Sequence, residues 1–397
     1  MWSAAEAFFE CLAESGPQVA LAEGERRLTY AELLGAVAAR GRHLRALGAH
    51  RVALALDNGI DWVLWDLAAL HAGLVCVPLP AFFSAEQQRH VLDSAGIDCL
   101  IGAAAPGFAC VENDIYRRTV VQPAELHPGT CKITFTSGTT GQPKGVCLDL
   151  DTQLAVARSL VAASASRNVE RHLCVLPLAT LLENIAGVYA PLLAGARVEL
   201  MPMVQIGLTG ASGFDLMRFL QALQAAQPHS LILLPQLLLA LVIAAERKLP
   251  VPDSLRFVAV GGGRVSTQLL ERADALDLPI FEGYGLSECA SVVCLNTPEQ
   301  RRIGSTGQPL GHLQVTLAAD GEVQVKGARM LGYLGEPAPQ GEWLGTGDLG
   351  HFEQGFLVLH GRKKHQFITA YGRNVNPEWV ESELVQQVPV AQAWLHG

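Results

Sequence analysis

Short apolar runs alternate with helix-length segments along most of this chain, and few folds accommodate that order. Residues 51–56 (RVALAL) have the length and apolar character of a buried strand, and a helical pattern follows over 61–72. Residues 74–78 (LVCVP) give a second strand. Residues 84–95 then form a helix, with Ser84 as its cap and Glu86 in its first turn. Further on, 173–176, 196–200, 231–234 and 257–260 are short apolar strands separated by helical segments. Such alternation implies α/β layers built on mostly parallel sheets. After about Gln300 the texture changes to short strands with glycine-rich turns, at 314–317, 322–326 and 355–359, which predicts a small β subdomain.

Composition sets outer bounds. At 397 residues, half of them hydrophobic and only 17% charged, the chain can bury a large core. A net charge of −9 argues against a nucleic-acid partner, and the one basic run, Arg362-Lys-Lys-His365, is too short for a polyelectrolyte surface. The nine cysteines are scattered through apolar runs without a C-x-x-C, the pattern of reduced, buried thiols in a cytoplasmic protein. The N-terminus has no basic region followed by a long apolar one, so no secretory signal is expected. Residues 231–245 are strongly apolar but too short for a membrane span and contain Pro235 and Gln236; a core strand followed by a core helix explains them better.

The chemistry concentrates in a few motifs. Residues 135–146, FTSGTTGQPKGV, lie between two strand-like runs. Gly138, Gly141 and Gly145 permit backbone turns that converge N–H groups on an anion, while Ser137, Thr139 and Thr140 add hydroxyls and Lys144 a charge. The order does not match a Walker A loop. In residues 281–288, FEGYGLSE, Tyr284 offers a flat face for a purine and Glu288 an oxygen ligand for Mg²⁺; a plain turn with an incidental acid is the alternative. Gly285, Ser287 and Cys289 approach the nucleophile-elbow pattern of hydrolases, which fails because Cys289 replaces the last glycine. Asp348 in GTGDLG is placed either to take both hydroxyls of a ribose or simply to cap a turn. The glycines of VGGGR, residues 260–264, let backbone approach a flat ligand, or merely lead into a helix. Residues 176–183 form an apolar strand end with one acid, either core packing or a substrate wall.

Taken in this order, the segments resemble the adenylate-forming superfamily of acyl-CoA synthetases, firefly luciferase and peptide-synthetase adenylation domains. The matching pieces are LTYAEL at 28–33, FTSGTTGQPKGV, the GGG turn, EGYGLSE, GEVQVKG with the later GY, W-x-x-TGD and GRKKHQFITAYGRNVNPEWVESEL. The long-chain fatty acid–CoA ligase branch looks nearest, through similar P-L-x-H-x-x-E and GRKK segments. Thr180 here replaces the usual His, and Ser287 a frequent Thr. No acid stands near Ala179, where amino-acid-activating relatives place one, which favours an uncharged tail.

The resemblance implies ATP-dependent attack of a carboxylate on the α-phosphorus, followed by transfer of the acyl group to a thiol, usually that of coenzyme A. By the same carry-over, Thr136, Ser137, Gly138, Thr139, Thr140, Gly141 and Lys144 hold the β- and γ-phosphates, Ser287 reaches a phosphate oxygen, and Glu288 supports Mg²⁺. Gly262, Gly263, Glu282, Gly283, Tyr284 and Gly285 would form the adenine site, and Asp348 with Arg362 would hold the ribose. Lys144, Thr140, Ser287, Glu288 and Arg362 are the catalytic set. Leu178, Thr180, Glu183, Val188, Gly285 and Cys289 would contact a fatty or other apolar acid, and Gly372 would line the thiol's approach.

The implied architecture is a large N-terminal lobe of layered α/β subdomains over 1–361, with a small β-barrel-like subdomain from about 301. A hinge at 362–364 and only the start of a mobile C-terminal domain, 365–397, follow. That domain normally supplies a lysine to the adenylation step, and no residue here matches it. The expectation is therefore a fragment that binds nucleotide yet forms adenylate slowly. Two alternatives stand beside the CoA ligase: an acyl-AMP ligase that loads the phosphopantetheine arm of an acyl carrier protein, and a catalytically weak nucleotide or acyl-adenylate binder.

Overall fold

A computed structural model of the chain describes residues 4–136, 142–210, 213–365, 367–368, 374–375, 377–384, 393 and 395. Two large mixed sheets organise it. In the nine-stranded sheet the strands Ser230–Leu233, Phe257–Val260 and Ile280–Leu286 run parallel and adjacent, on one side of the parallel strands Arg171–Leu173, Arg197–Glu199 and Val19–Glu23. Antiparallel strands close both edges: Ser291–Leu295 and Gln308–Pro309 on one side, Arg26–Thr29 on the other. The eight-stranded sheet has a parallel centre of Lys132–Thr136, Val75–Pro78, Arg51–Leu54 and Cys99–Ile101, flanked by antiparallel strands. A four-stranded antiparallel sheet spans Leu313–Leu317, Glu322–Gly327, Leu344–Glu353 and Phe356–Arg362. This is the α/β architecture expected, with a β element after residue 300.

The layers follow from which faces are apolar. Helices Tyr30–Ala46, Ile60–His71 and Leu150–Ser164 share one core with inward residues of both large sheets, such as Val52, Val146, Val198 and Phe281, and so lie between them. Helices Leu216–Ala226, Pro235–Glu246 and Thr267–Asp274 cover the outer face of the nine-stranded sheet. Helix Ala85–Ser94 covers that of the eight-stranded one. Local chemistry sets the boundaries. Thr29 and Glu32 form a capping box, as do Ser84 and Gln87. Pro235, with φ already helical and no N–H to satisfy, begins its helix at the first turn and so splits the apolar run 231–245 into a strand and a helix. No helix among the described residues is long and apolar enough to cross a membrane.

Two local expectations differ. The strand read at 173–176 is Arg171–Leu173, and the chain passes through Pro177 into a π-type helix, Glu183–Tyr189, whose wide turn tucks the Glu183 carboxylate beneath Gly187. The glycines after Val260 form an open turn, and the next helix begins only at Thr267. A buried polar knot ties the layers together. Lys132 Nζ lies 2.8 Å from Asp66 Oδ1 and 3.0 Å from the Tyr189 hydroxyl, which donates to Asp66 Oδ2 at 2.8 Å; Asn184 joins both charged groups.

Candidate functional site

The parallel strands of the nine-stranded sheet end together, and the cleft opens at those ends, where open α/β sheets generally bind ligands. Phe257–Val260 stops at the glycine turn, with Gly262 at φ +75°, in the region side chains avoid. Ile280–Leu286 turns through Ser287–Cys289 and returns as Ser291–Leu295, so close that a Cβ on Gly285 would sit 1.6 Å from the Ser291 carbonyl oxygen. These bare backbones leave a cavity of about 930 Å³, bordered by Gly262, Gly263, Glu282, Gly283, Tyr284, Gly285, Asp348 and Arg362. Eight residues assigned to nucleotide from separate stretches of sequence thus border one space.

The small sheet supplies the acid. Asp348 and Arg362 are direct cross-strand partners on Leu344–Glu353 and Phe356–Arg362. Arg362 Nε stands 2.9 Å from Asp348 Oδ1, while the Tyr284 hydroxyl donates to Oδ2 at 2.6 Å. The tyrosine is thereby fixed at both ends, by its strand and by its hydroxyl; burial, and then the adjacent carboxylate, hold that hydroxyl protonated far above its ordinary range. Glu282 is 9% exposed, and burial pushes its carboxyl up to about 8 against the pull of Arg264, so near neutrality it is mainly a neutral donor and acceptor.

A second cluster lies across the edge of the eight-stranded sheet. Thr136 ends one strand directly opposite Lys144, which begins the next. Ser137, Gly138, Thr139, Thr140 and Gly141, between them, lie outside the described residues, as does Gly372. His90 Nε2 donates to the Pro143 carbonyl at 3.0 Å and buttresses the end of this loop. Lys144 Nζ sits 2.9 Å from Glu336 Oε1 and 5.1 Å from the ring centre of Tyr333, whose hydroxyl donates to Glu288 Oε1 at 2.6 Å. Tyr333 therefore joins the lysine to the carboxylate proposed for Mg²⁺. A single carboxylate supplemented by phosphate and water oxygens suits that ion. The sequence contained Tyr333 in its GY piece without a role for it.

Behind the large cleft lies a narrower cavity of about 280 Å³ that shares Gly262, Gly283, Tyr284 and Gly285 with it. Thr180 and Ser287 line this cavity; the Thr180 hydroxyl donates to the Pro177 carbonyl at 2.6 Å. Gly285, also assigned to the acid, lines the cavity too, whereas the remaining residues so assigned sit elsewhere. Leu178 and Val188 pack in the central core, and Leu178 N–H donates to Asn58 Oδ1. Cys289 is sealed against the small sheet, where burial lifts its thiol to about 12. Glu183 is fully buried and accepts from the Leu176 N–H at 3.2 Å. The walls come instead from Leu160 and Val161 of one helix, from Ala186 and Ala190, and from His172 and Ser230 on adjoining strands.

This layered fold, with a glycine-walled cleft facing the Asp348–Arg362 ion pair, defines a nucleotide-binding enzyme of the adenylate-forming type. The chain belongs to the AMP-binding enzyme family, whose model matches residues 8–334. It is an acid–thiol ligase by its relatives. It is 31% identical, over 95% of its length and 82% of the other's, to 3-[(3aS,4S,7aS)-7a-methyl-1,5-dioxo-octahydro-1H-inden-4-yl]propanoyl:CoA ligase of Mycobacterium tuberculosis. It is 28% identical to a 2-succinylbenzoate–CoA ligase of Bacillus cereus, over 94% of this chain and 81% of that one. Among solved structures, O-succinylbenzoate coenzyme A synthetase of Bacillus subtilis in complex with AMP superposes with a TM-score of 0.80 at 24% identity, covering 98% and 85% of the two chains. An anthranilate CoA ligase in complex with anthranoyl-AMP gives 0.81 at 19%, covering 97% and 83%.

These relatives correct the expected long-chain fatty acid branch, since they act on ring-bearing acids. The narrow cavity, at about 280 Å³, is compact, at the lower edge of ligand pockets. The GRKK segment that suggested the fatty-acid branch begins at Gly361 and places Arg362 beside Asp348, at the large cleft, and carries no information about the acyl group.

Proposed function

We propose that this protein uses ATP and Mg²⁺ to convert a compact, ring-bearing carboxylic acid to its acyl-adenylate and then passes the acyl group to coenzyme A. The observation that carries this reading is the junction at Gly283–Gly285, where the large cleft meets the narrow cavity. A nucleotide in one and an acid in the other would meet end to end at backbone bare enough to admit both.

In the first half-reaction a carboxylate oxygen bonds to the α-phosphorus as the bond to pyrophosphate breaks. In the second, the thiol sulfur attacks the acyl carbonyl and AMP departs. Most of the work is alignment and charge neutralisation rather than covalent catalysis. Asp348, held by Arg362 and Tyr284, accepts from the ribose hydroxyls. Tyr284 and the glycine turn border the base, and Glu282 remains neutral next to it. Lys144 brings positive charge to the polyphosphate from the strand after the glycine loop. Glu288, oriented by Tyr333, supplies an oxygen to the metal, whose charge screens the phosphates from the incoming carboxylate. Residues 362–364 serve as the hinge that exchanges adenylation for thioester geometry.

The test is pyrophosphate release with ATP, Mg²⁺ and a panel of aromatic, alicyclic and fatty acids, with free coenzyme A or a phosphopantetheinylated carrier protein added afterwards. Release dependent on a ring acid, followed by CoA thioester, is the expected result. Preference for long-chain acids, or thioester on the carrier alone, would overturn it.

A further inference from the structure

The narrow cavity has a distinctive polarity. Among the described residues that line it, none is Asp, Glu, Lys or Arg, yet the apolar wall is interrupted deep inside by an ordered set of polar groups. His172 and Ser230 are register partners on neighbouring parallel strands, and His172 Nδ1 lies 2.8 Å from Ser230 Oγ. His172 Nε2 faces Glu183 Oε1 at 3.4 Å, and the Glu183 carboxylate is placed by the wide helix: a Cβ on Gly187 would stand 2.5 Å from that same oxygen. With Nε2–H directed to Glu183, Nδ1 accepts the Ser230 proton, leaving the Ser230 lone pairs free for a ligand.

A second hydroxyl on the cavity wall has no hydrogen-bond partner among the described residues. Ser291 is 7% exposed, its Oγ is buried without a hydrogen bond, and its backbone adopts φ +100°, a conformation rare outside glycine. Ser291 belongs to the cavity wall, and its unpaired hydroxyl would gain a partner if a ligand oxygen reached it by a small shift of that wall. Cys174, near His172 and Glu183, donates its thiol to the Gly187 carbonyl at 3.4 Å.

Depth adds a length. Ser230 pairs with Phe257, and the glycine turn begins at Gly261, four residues further along that strand. At about 3.3 Å per residue, Ser230 lies roughly 13 Å below the mouth. We infer that this cavity selects a monocarboxylic acid with an uncharged ring body bearing a hydroxyl or carbonyl oxygen near its far end, read by Ser230 and Ser291, and that it rejects an acid with a second carboxylate. His172 and Glu183 are positioning residues. A second carboxylate would be buried against walls that carry no Lys or Arg to pair it. This specificity rests on the ligase reading and goes further, because it separates this chain from 2-succinylbenzoate as a substrate.

The test measures binding rather than turnover, by titration calorimetry with non-reactive acyl sulfamates of adenosine. The acyl groups compared are a bare cyclohexylpropanoyl, its ring-keto and ring-hydroxy counterparts, and 2-succinylbenzoyl. The oxygenated ring should bind about 3- to 10-fold more tightly than the bare one, as expected of a neutral hydrogen bond. The 2-succinylbenzoyl compound should bind at least about 100-fold more weakly than the oxygenated ring. In an S230A/S291A double variant whose melting temperature matches wild type, the advantage of the oxygenated ring should fall close to one. Equal or tighter binding of the dicarboxylic compound, or an undiminished advantage in the double variant, overturns the inference while leaving the ligase reading intact. Failure of every compound and of AMP to bind overturns the ligase reading itself.

Discussion

Replacing Glu282 by Gln should make the protein more resistant to unfolding as the pH rises, an unusual sign for removal of an acid. Burial holds this carboxyl at about 8, against an ordinary 4.5. The folded state therefore keeps a proton that the unfolded chain releases through the window between those values. Because folding then binds more protons than unfolding, the wild type's stability is fully present below about pH 4.5 and declines as pH rises through 8. The difference of 8 − 4.5, or 3.5 pH units at 1.36 kcal/mol each, sets a ceiling of about 5 kcal/mol. Relaxation and water entry around a buried charge reduce it, and about 2 kcal/mol is a sound lower expectation.

Glutamine keeps the shape and cannot ionise, so the variant should lack this decline. Urea unfolding of wild type and E282Q between pH 4.5 and 9, with the difference plotted against pH, isolates this one group from all others that titrate in both proteins. The difference should be small at the acid end, climb through pH 5–8 and flatten above. A polyanion in the neighbouring cleft should hold the proton more firmly still. Nucleotide binding near pH 8 should therefore take up part of a proton in wild type and none in E282Q, which calorimetry in buffers of unlike ionisation enthalpy detects. A stability difference that is flat with pH, or that falls, would refute the assignment of a neutral Glu282.

D348N keeps the outline of the ribose-facing acid but removes its charge, and should weaken ATP and AMP binding about 10- to 100-fold by calorimetry, the range for a charge-assisted hydrogen bond; unchanged affinity would exclude the ribose role. Y333F removes the donor to Glu288 while keeping the ring beside Lys144. It should lower kcat/KM for pyrophosphate release about 10-fold and raise the Mg²⁺ concentration required, and an unaltered Mg²⁺ dependence would count against the link. D66A strands the buried Lys132 ammonium and should cost about 3–5 kcal/mol in denaturant unfolding; a cost below 1 kcal/mol would mean that water reaches the knot.

The residues of the glycine-walled cleft could be picked out in the sequence because they sit at strand ends and turns, where backbone demands glycine or a short acid. Gly262, Gly285 and Asp348 announce themselves by residue type, and folding only had to bring three strand ends together. Helix starts were legible for a similar reason: Ser84 and Gln87 make their contacts within one turn. Tyr333 was not, since its meaning depends on a two-residue strand pairing with Val146 far earlier in the chain.

The acyl half was opaque for a different physical reason. Leu160, Ala186 and Ala190 follow the same apolar periodicity whether a helix faces a packed core or an empty cavity, so pattern alone cannot distinguish wall from core. The assignment of Leu178 and Val188 to the acid was carried over from the family resemblance; both pack in the central core, Val188 on the wide helix Glu183–Tyr189 and Leu178 in the turn before it. That same helix explains Glu183. A lone acid in an apolar run has no evident use until a strand eleven residues earlier presents His172 to it, and a glycine four residues later leaves room for its carboxylate. The residues that determine which acid fits are therefore those whose sequence context most resembles ordinary core. Relatives that share the nucleotide motifs can accordingly differ in substrate while their motifs stay alike.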